Sequence, residues 1–140
     1  MLFREVILQS MKPTRIVLAD DHAVMRASIR RLLEKAPDFE IVGEASNGVE
    51  AIHSVNRLAP DILLLDMEMP VLSGVEVAKE LHATHSPVRV LALSAYNDEE
   101  YINALRENGA SGYLTKDTAW LNIVETIREV ALGKKEWIRR

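Results

Sequence analysis

Ile62-Leu63-Leu64-Leu65 runs without a polar interruption into Asp66. A short continuous aliphatic run of this kind reads as a strand buried on both faces, as in a parallel sheet covered by helices. Two similar runs lie on either side of it in the chain. Ile16-Val17-Leu18-Ala19 leads into Asp20-Asp21, and Val90-Leu91-Ala92-Leu93 leads into Ser94. A weaker run, Gly112-Tyr113-Leu114-Thr115, delivers Lys116. As parallel strands, these four would collect three carboxylates, a hydroxyl and an ammonium at one sheet edge.

Between the runs the apolar spacing becomes helical. Val24, Ile29, Leu32 and Leu33 give one face, and Ala51, Ile52, Val55 and Leu58 a second. Val75, Ala78 and Leu81 give a third, Ile102 and Leu105 a fourth, and Val124, Ile127 and Ala131 a fifth. The punctuation agrees. Ser73 with Glu76 is a capping-box pattern, and Asn47 with Glu50 resembles one. Asp98 followed by Glu99 and Glu100 suits a helix N-terminus, and Gly109 and Gly133 suit C-termini. Strands are therefore expected near 15–20, 39–45, 61–66, 88–94 and 111–115, each followed by a helix. Such alternation predicts an α/β doubly wound parallel sheet with right-handed crossovers. In sheets of this kind the functional crevice lies beyond the carboxyl ends of the strands, where the unusual polar residues fall.

Composition narrows the classes. The 140 residues suffice for one domain with a full core. There is no cysteine, which excludes disulfides and thiolate chemistry and fits a reducing, cytoplasmic setting. The net charge of −4 gives no electrostatic footprint for nucleic acid. No apolar stretch approaches the roughly 20 residues that span a bilayer, so no membrane partner is expected. Residues 1–13 read as an N-terminal appendage, with Met11 a possible second start, 14–133 as the domain, and 134–140 as a tail or the start of a linker.

Taken singly, Asp20-Asp21 reads equally well as a turn and a helix cap, and Asp66 as a helix-entry residue. Together, three carboxylates facing one crevice repel one another unless a cation relieves them. Mg²⁺ fits, because it accepts one or two carboxylates and keeps waters for a phosphate. Lys116 supplies a mobile positive charge, and Ser94 a hydroxyl donor for a phosphoryl oxygen. His22, His53, His82 and His85 show no convincing ligand set; His82 and His85 share a helical spacing, but surface exposure is the expectation for that pair.

With these residues in place the chain resembles the receiver domain of two-component response regulators. The resemblance covers essentially residues 14–133 and rests on Asp20-Asp21, Asp66-Met67-Glu68-Met69-Pro70 with Gly74, Ser94-Ala95 and Lys116. The segments 44–48 and 109–117 look most like the NarL/FixJ type, in which a helix-turn-helix output domain normally follows. The resemblance implies a flavodoxin-like (βα)5 fold of strand order 2-1-3-4-5. It implies that Asp66 accepts a phosphoryl group from a sensor histidine kinase. Asp21 and Asp66 would ligate Mg²⁺ directly, Asp20 through water, and Glu68 through its backbone carbonyl. Ser94 and Lys116 would hold phosphoryl oxygens, and Tyr113 would be a switch, outward at rest and turning inward on phosphorylation.

Further expectations follow from the resemblance. The kinase would dock near the first helix, with exposed Met25 and Arg26 helping to select it. The signalling face would comprise the fourth helix, fifth strand and fifth helix, with a homodimer possible on phosphorylation and DNA reached only through an output domain. Glu68 and Tyr96 would flank the pocket and set the lifetime of the acyl phosphate. One departure stands out: the family's lysine usually precedes a cis-proline, whereas Lys116 precedes Asp117, and a cis bond without proline costs about 2.5–4 kcal/mol. A rival reading is a haloacid-dehalogenase-like phosphatase, whose two-acid motif Asp66-Met67-Glu68 imitates. That motif belongs on a first strand, however, not a third. A flavodoxin-like nucleotide binder is rejected, since two aspartates in the first loop would repel phosphate.

Overall fold

The computed structural model describes residues 12–137, without the side chains of Ala119 and Leu121. The N-terminal appendage up to residue 11 and the tail from 138 lie outside the described residues. In chain order the elements are β1 (Thr14–Ala19), α1 (Ala23–Glu34), β2 (Phe39–Ala45), α2 (Gly48–Leu58), β3 (Ile62–Asp66), α3 (Gly74–Ala83), β4 (Arg89–Ser94), α4 (Glu99–Glu107), β5 (Gly112–Thr115), α5 (Lys116–Ala131) and β6 (Glu136–Trp137). All neighbouring strands pair in parallel, in the order β2-β1-β3-β4-β5-β6.

The central strands are buried because each face of the sheet is covered. All five residues of β3 are buried, as are Ile16–Ala19 and Val90–Ser94. Alternate side chains go to opposite layers, following the period of two. Val17, Ala19, Leu63, Leu65, Ala92 and Tyr113 meet α2, α3 and α4 through Ala51, Val55, Val77, Leu81, Ile102 and Leu105. Ile16, Leu18, Leu64, Leu91, Leu93 and Leu114 meet α1 and α5 through Ile29, Leu33, Ile123, Ile127 and Val130. Val24, expected on the inner face of α1, is instead 82% exposed. It sits in the first turn of α1, at the edge of a cleft lined by His22, Ser28 and Trp120 rather than in the core.

The caps follow the sequence closely. Ser73 and Glu76 form a full capping box, at 3.3 and 2.9 Å. Asn47 caps α2 by accepting from the Glu50 amide, while Glu50 turns back one residue further, to Ser46. Asp98 accepts from the amides of Glu100 and Tyr101. Gly109 and Gly133 take the left-handed conformation after α4 and α5, with φ of 72° and 96°.

The short sixth strand is not announced by any apolar run. It lies against β5, pairing Gly112 with Glu136 and Tyr113 with Trp137. Gly112 permits this approach, because a β-carbon there would stand 2.3 Å from the Glu136 carbonyl oxygen. The Arg106 guanidinium lies 4.8 Å over the Trp137 ring and holds it against α4.

Candidate functional site

Parallel pairing places the ends of β1, β3, β4 and β5 side by side. Asp66 pairs with Leu93 and Ser94 with Thr115, so the residues that follow each strand open onto one crevice. Asp20 and Asp66 are each only 1% exposed. Asp66 Oδ1 accepts from the Glu68 amide at 3.1 Å and faces Lys116 Nζ, also at 3.1 Å. Its other oxygen, Oδ2, is buried and has no partner among the described residues, and the same holds for Asp20 Oδ2. Burial pushes the Asp66 carboxyl up to about 6; the Asp20 charge adds to this, while the Glu68 amide and Lys116 oppose it.

Two buried carboxylate oxygens left without donors are unfavourable as they stand. They are hard donors at the mouth of a polar crevice, which is what a divalent cation requires. Asp20, Asp21, His22 and Asp66 each offer a ligand atom within 4.8 Å of the others. The acid cluster expected from the sequence is therefore assembled. His22 was not expected to belong to it, yet its Nδ1 lies 3.1 Å from Asp21 Oδ1 and 3.4 Å from Asp20 Oδ1. Its place directly after the acid pair was the available signal. His82 and His85 are exposed, as expected, and so is His53.

Asp20 is anchored by neighbours. Its Oδ1 accepts from the His22 amide at 2.8 Å, and its backbone carbonyl accepts from Arg26 at 2.5 Å. Arg26 also pairs with Glu44 at 2.8 Å, and Glu44 pairs with Arg30. Arg26 is thus not the freely exposed residue expected from its place after the acid pair: its guanidinium joins α1 to β2 beneath the crevice.

On the other wall, Ser94 is fully buried and donates its hydroxyl proton to Glu68 Oε2 at 2.7 Å. The Ala95 amide donates to Glu68 Oε1 at 3.2 Å, and the Tyr96 amide to Ser94 Oγ at 3.1 Å. Tyr113 was expected to point outward at rest. It is instead fully buried, its hydroxyl donating to the Tyr96 carbonyl. Tyr96 itself is 63% exposed at the rim. The Lys116–Asp117 bond is trans, as is every described peptide bond. Without the proline, α5 begins at Lys116 itself, with Asp117 in its first turn, where a carboxylate suits the dipole.

The chain is similar to known proteins in both sequence and fold. The family model for the response regulator receiver domain covers residues 16–128, and the chain belongs to that family. The DegU transcriptional regulatory protein of Brevibacillus brevis is 37% identical over 119 residues, which cover 85% of this chain and 50% of DegU. The nitrate/nitrite response regulator NarL of Escherichia coli K12 is 35% identical over 127 residues, 91% of this chain and 59% of NarL. The chain thus spans half to three-fifths of the length of these curated relatives. The receiver domain of a NarL response regulator from Mycobacterium tuberculosis superposes with a TM-score of 0.84 at 32% identity, covering 88% of this chain and 99% of that one. A LuxR-family response regulator from Aurantimonas gives the same TM-score at 30% identity, with 89% of each chain covered. The chain is therefore a signalling domain of two-component systems, with the flavodoxin-like fold. The haloacid-dehalogenase alternative finds no support in these likenesses. None of the described helices is long and apolar enough to cross a membrane.

Proposed function

We propose that Asp66 accepts a phosphoryl group from a sensor histidine kinase and that this switches the face formed by α4, β5 and α5. The observation that carries the reading is the asymmetry of the Asp66 carboxylate. Lys116 and the Glu68 amide hold one oxygen, leaving the buried Oδ2 without a partner as the nucleophile. In the transfer, Asp66 forms the new phosphorus–oxygen bond as the donor's phosphorus–nitrogen bond breaks, and the histidine nitrogen leaves with its electron pair. Lys116 follows the developing charge, and the Ser94 hydroxyl would donate to a phosphoryl oxygen once released from Glu68.

Asp20, Asp21 and Asp66, with the Glu68 backbone carbonyl, would hold Mg²⁺: the donors are hard oxygens, and Asp20 Oδ2 and Asp21 Oδ1 are buried without a hydrogen-bond partner among the described residues. When bound there, the ion would neutralise charge on the acids and on the incoming phosphoryl group. His22 completes the rim.

The kinase docking face is best supported beside Lys116. A cleft there is lined by His22, Val24, Met25, Ser28 and Trp120, and Val24 and Trp120 expose apolar surface at its edge. Met25, expected to be exposed, is half-buried against the core and reaches the cleft only along its lining, and Arg26 is committed to Glu44. Output would pass through α4, β5 and α5 to altered self-association, or to altered contact with a DNA-binding output domain. The cytoplasmic setting belongs to the same reading, as does the domain itself, which β6 extends past the expected boundary at 133 into residues expected to be a tail or linker. Incubation with acetyl phosphate and Mg²⁺, read by intact mass, tests it: one added phosphoryl group is expected, absent from Asp66→Asn. An unmodified parent chain, or equal modification of both, would refute it.

A further inference from the structure

The contacts of Glu68 do not belong to the phosphate-holding scheme, and they bear on how the site is set before any phosphoryl group arrives. Ser94 has a single hydroxyl proton, and Glu68 Oε2 takes it at 2.7 Å. The Tyr96 amide fixes the lone-pair side of the same hydroxyl. The Ala95 amide delivers a second donor to the other Glu68 oxygen. An O–H and an N–H converging on the two oxygens of one carboxylate form an anion-binding pair, and here the protein's own side chain fills it. Ser94 cannot give its proton to a phosphoryl oxygen while Glu68 retains it.

Building on the assignment of Asp66 as acceptor, we propose that the Glu68 carboxylate is a resident anion that occupies the donors of Ser94 and Ala95. Phosphorylation must displace it. This accounts for the position of Tyr113. The phenol ring is fully buried, with its hydroxyl on the Tyr96 carbonyl, in a chain whose Ser94 is already drawn toward an anion. Glu68 thus does to Ser94 what a phosphoryl oxygen would do, and the Ser94-Ala95-Tyr96 segment sits in place for the inward ring. Two consequences separate this from simple charge repulsion between Glu68 and an incoming anion. Removing Glu68 favours phosphoryl binding through Ser94, and it also loosens Tyr113 in the unmodified protein.

The test is a double-mutant cycle on the whole chain, titrated calorimetrically with beryllofluoride in excess Mg²⁺. Glu68→Ala keeps the backbone carbonyl and should bind beryllofluoride about tenfold more tightly than the parent, since one charge-assisted hydrogen bond no longer has to be broken. In a Ser94→Ala background the same substitution should gain less than about threefold. Without beryllofluoride, Glu68→Ala should lose amide-exchange protection at Ala95 and around Tyr113, whereas Ser94→Ala alone tests whether the loss runs through the hydroxyl. Equal gains in both backgrounds would show repulsion alone and overturn the proposal. So would unchanged affinity in Glu68→Ala with a parent that binds normally. A parent that takes up no beryllofluoride at all would instead overturn the Asp66 assignment, and this inference with it.

Discussion

Replacing Asp66 by Asn should make the metal-free protein more stable, by an amount that depends on pH in a defined way. The Asp66 carboxyl is 1% exposed and titrates near 6 in the folded chain, against an ordinary value of 3.8. Above pH 6 both folded and unfolded chains carry the charge, and the folded chain bears its full desolvation penalty. As pH falls through 6, folded Asp66 takes up a proton that the unfolded chain does not yet bind, so the penalty is relieved. Below about pH 4 both states are protonated and the effect is complete. At 1.36 kcal/mol for each pKa unit, the rise from 3.8 to about 6 corresponds to a penalty of about 3 kcal/mol. Asn removes the charge but also deprives Lys116 of its partner at 3.1 Å. A net gain of about 1–3 kcal/mol above pH 7 is therefore expected. Urea unfolding followed by circular dichroism, in EDTA from pH 5 to 8, would measure it. The parent and the Asn variant should differ most at pH 8 and converge toward pH 5. Added Mg²⁺ should stabilise the parent more than the variant and narrow the gap at pH 8. An Asn variant that is less stable at pH 8, or a gap independent of pH, would refute the electrostatic reasoning.

Three other substitutions probe separate features. Tyr96→Ala should shorten the life of the phosphorylated domain, because the ring at the rim, 63% exposed, screens the approach of water to the acyl phosphate; decay followed after removal of the phosphodonor would be slower or unchanged if the ring does not gate water. Val71 is β-branched yet holds φ at 71° in the loop after Pro70. Val71→Gly should therefore raise stability by about 1 kcal/mol, read as a higher urea midpoint, and a lower midpoint would mean the loop is not strained. Gly112→Ala places a β-carbon 2.3 Å from the Glu136 carbonyl and should detach β6. Amide exchange at Trp137 should then accelerate while β1 and β3 stay protected, and retained protection at Trp137 would contradict the close approach.

Much of the fold was legible because the aliphatic runs and the polar residues that end them fall on strands buried on both faces. Residues 62–65 are all fully buried, and Ser73, Asn47 and Asp98 cap the helices their spacing announces. Contacts that cross between elements were not legible. Arg26 is held by Glu44, eighteen residues away, and no local pattern tells such a residue from an exposed one. Glu68 lies two residues beyond Asp66, which suggested a place at the pocket mouth. That it would turn to Ser94 depends on the register of β3 against β4. Tyr113 points inward with its hydroxyl on the carbonyl of Tyr96, seventeen residues away, a tertiary contact with no sequence signature. The strand β6 is two residues long, too short to show any period, and depends on the missing side chain of Gly112.

The most direct test of the central claim is the intact mass of the parent chain and of Asp66→Asn after incubation with acetyl phosphate and Mg²⁺. Asp66 should form the phosphorus–oxygen bond while acetate leaves. The account predicts one phosphoryl group on the parent, labile to hydroxylamine as an acyl phosphate is, and none on the Asn variant or when EDTA replaces Mg²⁺. Equal phosphorylation of both proteins, or a parent that stays unmodified with Mg²⁺ present, would contradict it.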